Sequence, residues 1–108
     1  MEIEATSADR NLLLEMKGEL DHHGARNALR ELELSIDAAL PKKLVLDLAG
    51  VTFMDSSGIG VLAGRYRKIS CFGGKVYVIH ANRRIRKILE MSGIGDIVEM
   101  IDQEEKHE

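Results

Sequence analysis

The spacing of apolar residues changes period several times along the chain, and each change marks an element. Ile3 and Ala5 alternate with polar neighbours, and a short strand is expected over residues 3–5. Leu12-Leu13-Leu14-Glu15-Met16 is a brief apolar run of the length of a strand. Ala8-Asp9-Arg10-Asn11 between them reads as a turn, so the two segments predict a hairpin. Over residues 22–40 the period becomes helical. Ala25, Ala28, Leu29, Leu32, Ile36, Ala39 and Leu40 recur at gaps of three and four and form one apolar face. Asp21 stands before this run as an N-cap candidate, and Pro41 closes it because the residue before a proline is disfavoured in helical geometry.

Leu44-Val45-Leu46-Asp47-Leu48 then reads as a strand buried on both faces. Ile59, Leu62, Tyr66 and Ile69 predict a second helix over residues 58–72, ended by Gly73-Gly74. Val76-Tyr77-Val78-Ile79 is rich in β-branched residues and predicts another strand. Asn82 is a cap candidate for a third helix that turns Ile85, Ile88 and Leu89 inward, leaving Arg83, Arg84, Arg86 and Lys87 as a solvated face. Residues 97–101 predict a short last strand, and the charged tail 102–108 is expected to fray. The order β-β-α-β-α-β-α-β implies an α/β fold with a mostly parallel sheet and one antiparallel N-terminal strand. In such sheets function gathers beyond the carboxyl ends of the strands. Two polar segments fall there, 18–23 and 54–60.

Composition narrows the classes. The 108 residues predict a single domain spanning 1–108. Fifteen basic against eighteen acidic residues leave a net charge of -3, and with two Tyr, two Phe and no Trp neither a nucleic-acid surface nor a base-stacking platform is expected. No run approaches the length of a membrane span, and Met1-Glu2-Ile3-Glu4 lacks the basic and apolar regions of a signal peptide. The one cysteine, Cys71, cannot form an internal disulfide and reads as a small hydrophobe. A cytoplasmic location without membrane insertion is the expectation.

The chemistry concentrates in Phe53-Met54-Asp55-Ser56-Ser57-Gly58-Ile59-Gly60, which joins a strand to a helix. Gly58 and Gly60 keep bulk away from the first turn. The free N–H groups and dipole of a helix start tolerate an anion, so a hydroxyl there can accept a phosphoryl group without melting the helix. Ser56 and Ser57 could equally be plain capping serines, and Asp55 a turn residue. Enzyme readings fit worse. Gly58-Ile59-Gly60-Val61-Leu62-Ala63-Gly64 places its third glycine one position late for a dinucleotide loop. Asp47 or Asp55 as a phospho-acceptor would need an acidic pair that is absent. Asp-Ser-Ser-Gly is not a nucleophile elbow. His22 and His23, adjacent on a helix, point about 100° apart and chelate a metal poorly. His80 and His107 are isolated along the chain. No cofactor and no metal are expected, and the chain reads as a non-enzyme.

Gly18-Glu19-Leu20-Asp21-His22-His23, the segment 53–61, Gly64-Arg65-Tyr66 and Met91-Ser92-Gly93-Ile94 together resemble the STAS-domain anti-sigma factor antagonists, in matching order over nearly the whole chain. Asp-Ser-Ser-Gly and the double histidine are similar to the sporulation members that antagonise an anti-sigma-F factor. General-stress antagonists, the alternative, typically carry Asp-Ser-Thr-Gly. The resemblance implies partner switching. The unphosphorylated chain would bind an anti-sigma factor that is also a serine kinase and so release a sporulation sigma factor. The kinase would then phosphorylate Ser56, the first serine after the aspartate, and a PP2C-type phosphatase would reverse it. ATP and divalent metal would belong to those partners. The partner surface implied is Asp21, His22, His23, Asp55, Ser56, Ser57, Gly58 and Gly60, with Asp21 and Asp55 flanking Ser56 on an acidic rim. Arg65 and Tyr66 are expected to combine packing with rim contacts. The free chain is expected to be a monomer.

Overall fold

A computed structural model describes residues 1–101 of the chain; the tail expected to fray and His107 lie outside the described residues. Two antiparallel strands open the fold, β1 (Glu2–Ala8) and β2 (Asn11–Leu20). Asp9 and Arg10 between them both take left-handed backbone, at φ 53° and 67°, which makes the two-residue turn whose twist matches paired strands. Three helix-then-strand units follow. They are α1 (His22–Ala39) with β3 (Lys43–Met54), α2 (Ser56–Cys71) with β4 (Lys75–Ile79), and α3 (Arg83–Ser92) with β5 (Glu99–Ile101). A single turn of 3-10 helix, Ile94–Asp96, precedes the last strand.

The sheet order is β1-β2-β3-β4-β5, with every pair after the first parallel. Because the order never reverses, crossovers of one hand put every helix on the same face. Burial agrees. Leu12, Leu14, Leu44, Leu46, Leu48, Val76 and Val78 are buried beneath the helices, while the intervening Val45, Asp47, Tyr77 and Ile79 are only partly covered. The expectation that β3 is buried on both faces is therefore wrong. Its dense run of apolar residues reflects half-buried positions on the open face, where Lys43 sets its ammonium 5.4 Å from the centre of the Tyr77 ring. A sheet without an order reversal also lacks the crevice in which open α/β sheets hold small ligands.

The helices differ from expectation at their ends. In α1 the face formed by Ala25, Ala28, Leu32 and Ile36 is buried, but Leu29 and Leu40 are exposed. Leu40 has left the helix for a left-handed cap (φ 46°) ahead of Pro41. α2 begins two residues earlier than its stripe predicts, at Ser56. Asn82 does cap α3, accepting from the Ile85 N–H at 2.8 Å. β3 is longer than its apolar run and keeps pairing with β2 after β4 has ended, from Asp47↔Ile79 on to Leu20↔Met54. The shared end of β2 and β3 thus projects beyond the rest of the sheet edge. Among the described residues no helix is long and apolar enough to cross a membrane.

A single-faced core predicts unequal costs for neighbouring residues. Leu46→Ala should lower the free energy of urea unfolding by about 2–5 kcal/mol, and Val45→Ala by less than half as much.

Candidate functional site

Two helices start side by side where β2 and β3 project. Leu20 and Met54 are register partners, so the next residues, Asp21 and Asp55, enter α1 and α2 at the same level. Both are extended and both cap. One Asp21 oxygen accepts from the Gly24 N–H at 2.8 Å. One Asp55 oxygen accepts from the Ser57 N–H at 2.9 Å and the Gly58 N–H at 3.4 Å. A carboxylate at this position satisfies helix donors that otherwise have no partner, and it suits the positive end of the dipole.

This assignment decides what the serines do. Ser56 is the first residue inside the helix and is exposed, and no hydrogen bond of the cap uses its hydroxyl. Ser57 is half-buried beside it. Capping, the plain alternative for both serines, belongs to Asp55. Asp55 directly precedes the serines and Asp21 begins the neighbouring helix, and each turns an oxygen onto backbone N–H groups rather than presenting its whole carboxylate on a rim.

The glycines divide as well. A Cβ on Gly58 would lie 2.6 Å from the Leu20 carbonyl oxygen and 2.8 Å from that residue's side chain, so the first turn of α2 rests directly on the end of β2. Gly24 is tighter still, with a Cβ 1.9 Å from the Glu19 carbonyl oxygen. Around Gly60 there is nothing within 4 Å. Its lack of a side chain is not required by internal packing, contrary to a shared role with Gly58.

Gly60 opens onto a shallow groove of about 440 Å³ between α1 and α2. His22, Arg26 and Leu29 line it from α1; Ser57, Gly60 and Arg65 line it from α2. His23 is exposed with its ring edge-on to His22 at 5.9 Å, and it does not reach the groove. Arg65 is the one buried charged residue among those described. Its Nη2 donates to Glu33 at 2.8 Å, whereas Nε and Nη1 are covered without an acceptor among the described residues. A buried donor left so costs about 1–3 kcal/mol. Glu33 also pairs with Lys68, which reaches Asp37 at 2.7 Å. Hydrogen bonds that the Lys68 ammonium donates to Asp37 and, next, to Glu33 raise its pKa above the ordinary value. That interaction is fully present below the ordinary lysine value and is lost only as pH rises through the raised one. The clamp joining α1 to α2 is therefore constant near neutrality.

Two other expectations change. His80 is not isolated: its Nδ1 lies 3.1 Å from Asp47 Oδ1, in left-handed backbone at φ 62°. Arg86, in the basic set of α3, pairs with Glu90 at 3.4 Å. Among the described residues no group of three His, Cys, Asp or Glu could hold a metal. Sequence reading missed Arg26, Leu29, Glu33 and Arg67 as parts of this region. The signal was present on α2, where Ser57, Gly60, Gly64 and Arg67 recur at gaps of three and four. The Arg65–Glu33 pair, 32 positions apart, has no local signal.

The STAS domain family model matches residues 2–107. An anti-sigma F factor antagonist of Paenibacillus polymyxa is 37% identical over 86% of this chain and 80% of its own length. The structure of the anti-sigma factor antagonist SpoIIAA in its unphosphorylated form superposes with a TM-score of 0.79 at 26% identity, over 97% of this chain and 92% of that one. The Bacillus cell fate determinant SpoIIAA in its phosphorylated form gives a TM-score of 0.72 at 26% identity, over 97% and 96%.

The two glycines should respond in opposite directions. Gly58→Ala is expected to destabilise the fold by about 1–3 kcal/mol through its clash with Leu20. Gly60→Ala should stabilise α2 by up to about 1 kcal/mol. Thermal melts of the two variants check this.

Proposed function

Because the chain belongs to the STAS-domain family, in its anti-sigma factor antagonist branch, we propose that it binds an anti-sigma factor through the projecting end of β2 and β3, and that a phosphoryl group on Ser56 ends the binding. The partner is a serine kinase as well as an anti-sigma factor, and capturing it frees a sporulation sigma factor. A PP2C-type phosphatase restores the hydroxyl. The chain performs no chemistry of its own and works in the cytoplasm, with ATP and divalent metal bound by its partners.

The observation that carries this reading is the division of labour between Asp55 and Ser56. With Asp55 holding the Ser57 and Gly58 N–H groups, the Ser56 hydroxyl is exposed and not needed by the helix. Phosphorylation adds about -1.5 to -2 charge at neutral pH. At the first helical position the dipole favours that charge, so the fold survives it. A docked partner does not. Like charges brought together at an interface cost several kcal/mol, and each ~1.4 kcal/mol is tenfold in affinity. Asp21, His22, His23, Ser57, Gly58 and Gly60 complete the partner surface around that hydroxyl. Of these, Gly58 acts through the fold by letting α2 sit on Leu20.

The test is intact-mass analysis after incubation with the cognate anti-sigma kinase and ATP. Wild type is expected to gain one phosphoryl group and Ser56→Ala none, while Ser56→Ala stays bound to the kinase in ATP and wild type dissociates. A phosphoryl group appearing on Ser56→Ala, or Ser56→Ala released by ATP as readily as wild type, would contradict the switch.

A further inference from the structure

We propose that the groove between α1 and α2 receives an acidic segment of the anti-sigma factor, with Arg65 as its anchor. This rests on the reading of the chain as that factor's binding partner. Among the described residues, the ionisable groups lining the groove are His22, Arg26, Arg65 and Arg67, and no carboxylate lines it, although the chain as a whole carries a net charge of -3. Local charge thus runs against the global balance, and complementary charge across an interface gives specificity and steers encounter. Leu29 and Val61 add apolar wall, and Leu29 is exposed although the helical period assigns it to the buried face.

Arg65 supplies the second, independent observation. Nine-tenths of its side chain is covered, Glu33 takes only Nη2, and the N–H groups on Nε and Nη1 have no acceptor among the described residues. A guanidinium offers a planar fork that matches a carboxylate with two parallel hydrogen bonds. Three of its five N–H groups, the one on Nε and the two on Nη1, are unused here, in a side chain that borders the groove. Nε–H and Nη1–H lie on opposite edges of the guanidinium, and a small shift of Arg65 would present either of them to a carboxylate delivered by the partner.

The floor is low for the same reason. Gly60 and Gly64 lie one helical turn apart on α2. A Cβ on Gly60 would meet nothing within 4 Å, and one on Gly64 would meet only the Arg67 guanidinium at 4.0 Å. Neither glycine is demanded by packing, and each weakens the helix relative to alanine. What their absent side chains leave open is space for the partner. Ser57 and Gly60 line the groove, and Ser56 precedes Gly60 by one helical turn at the start of α2. A phosphoryl group on Ser56 would place two negative charges where the acidic segment enters.

Titration calorimetry of the full chain against the cognate anti-sigma factor, at low and at physiological salt, tests this. Wild type should bind more weakly as salt rises. Arg65→Gln is expected to lose about thirtyfold in affinity and much of that salt dependence. Gly64→Gln fills the groove without changing charge; it should raise the melting temperature yet weaken binding about tenfold. It keeps the test open if Arg65→Gln folds poorly. If Gly64→Gln binds as wild type while Ser56→Asp binds poorly, the groove proposal is overturned and the switch stands. If wild type itself does not bind, both fall. Self-association of the free chain that Gly64→Gln abolishes would assign the groove to a second copy and likewise overturn it.

Discussion

The contact on which the site depends is that of the first turn of α2 with the end of β2. Gly58 sits against the Leu20 carbonyl closely enough that no side chain fits between them, and Asp55 fastens the turn by taking the Ser57 and Gly58 N–H groups. These two interactions fix where α2 begins and which face it turns outward. α1 is fastened in the same way by Asp21 and Gly24, one strand over. Since Leu20 and Met54 are paired in register, the two helix starts are locked at a common height. An exposed serine in this frame is presented by rigid backbone, while its own hydroxyl carries no structural duty.

The rest of the fold supports that presentation. Five strands in sequential order put all three helices on one face, so the core is a single layer and the site lies on an edge rather than in a crevice. An edge of this kind suits recognition of another macromolecule better than enclosure of a small substrate. Farther along α1 and α2, Glu33 holds Arg65 and Lys68 together and keeps the helices from sliding. Arg65 itself lines the groove between them, so this tie borders the site. A fixed surface suits a switch that acts by local charge, because a phosphate added to it changes electrostatics without needing a rearranged fold.

Much of this was legible in the sequence where local chemistry dominates. The periods of three and four in α1, Pro41 after it, the Asp21 and Asn82 caps, and Gly73-Gly74 after α2 all carry their own signals. The hairpin at Asp9-Arg10 was also readable from polar residues between two apolar runs. What was not legible depends on distant parts of the chain. β3 continues through Ala49-Gly50-Val51-Thr52 without alternation because β2, not its own pattern, holds it there, across shifts of register. Val45 looks like core and is only partly buried because no helix among the described residues covers the second face of the sheet. Asp55 rather than a serine is the cap, a choice that Asp-Ser-Ser-Gly leaves undecided. Arg65 reads as a surface residue of α2 until Glu33 arrives from another helix.

In the proposed switch the first turn of α2 carries a bare or a phosphorylated Ser56 equally well, while the partner accepts only the bare form. The most direct measurement is a paired one on the stoichiometrically phosphorylated chain: its thermal unfolding, and its affinity for the anti-sigma factor. Unfolding within about 2–4 °C of the unmodified chain, together with a hundredfold or greater loss of affinity, is the expected result, since about 3 kcal/mol of interfacial repulsion suffices for it. A phosphorylated chain that melts far below the unmodified one, or that binds the anti-sigma factor as tightly, would contradict it.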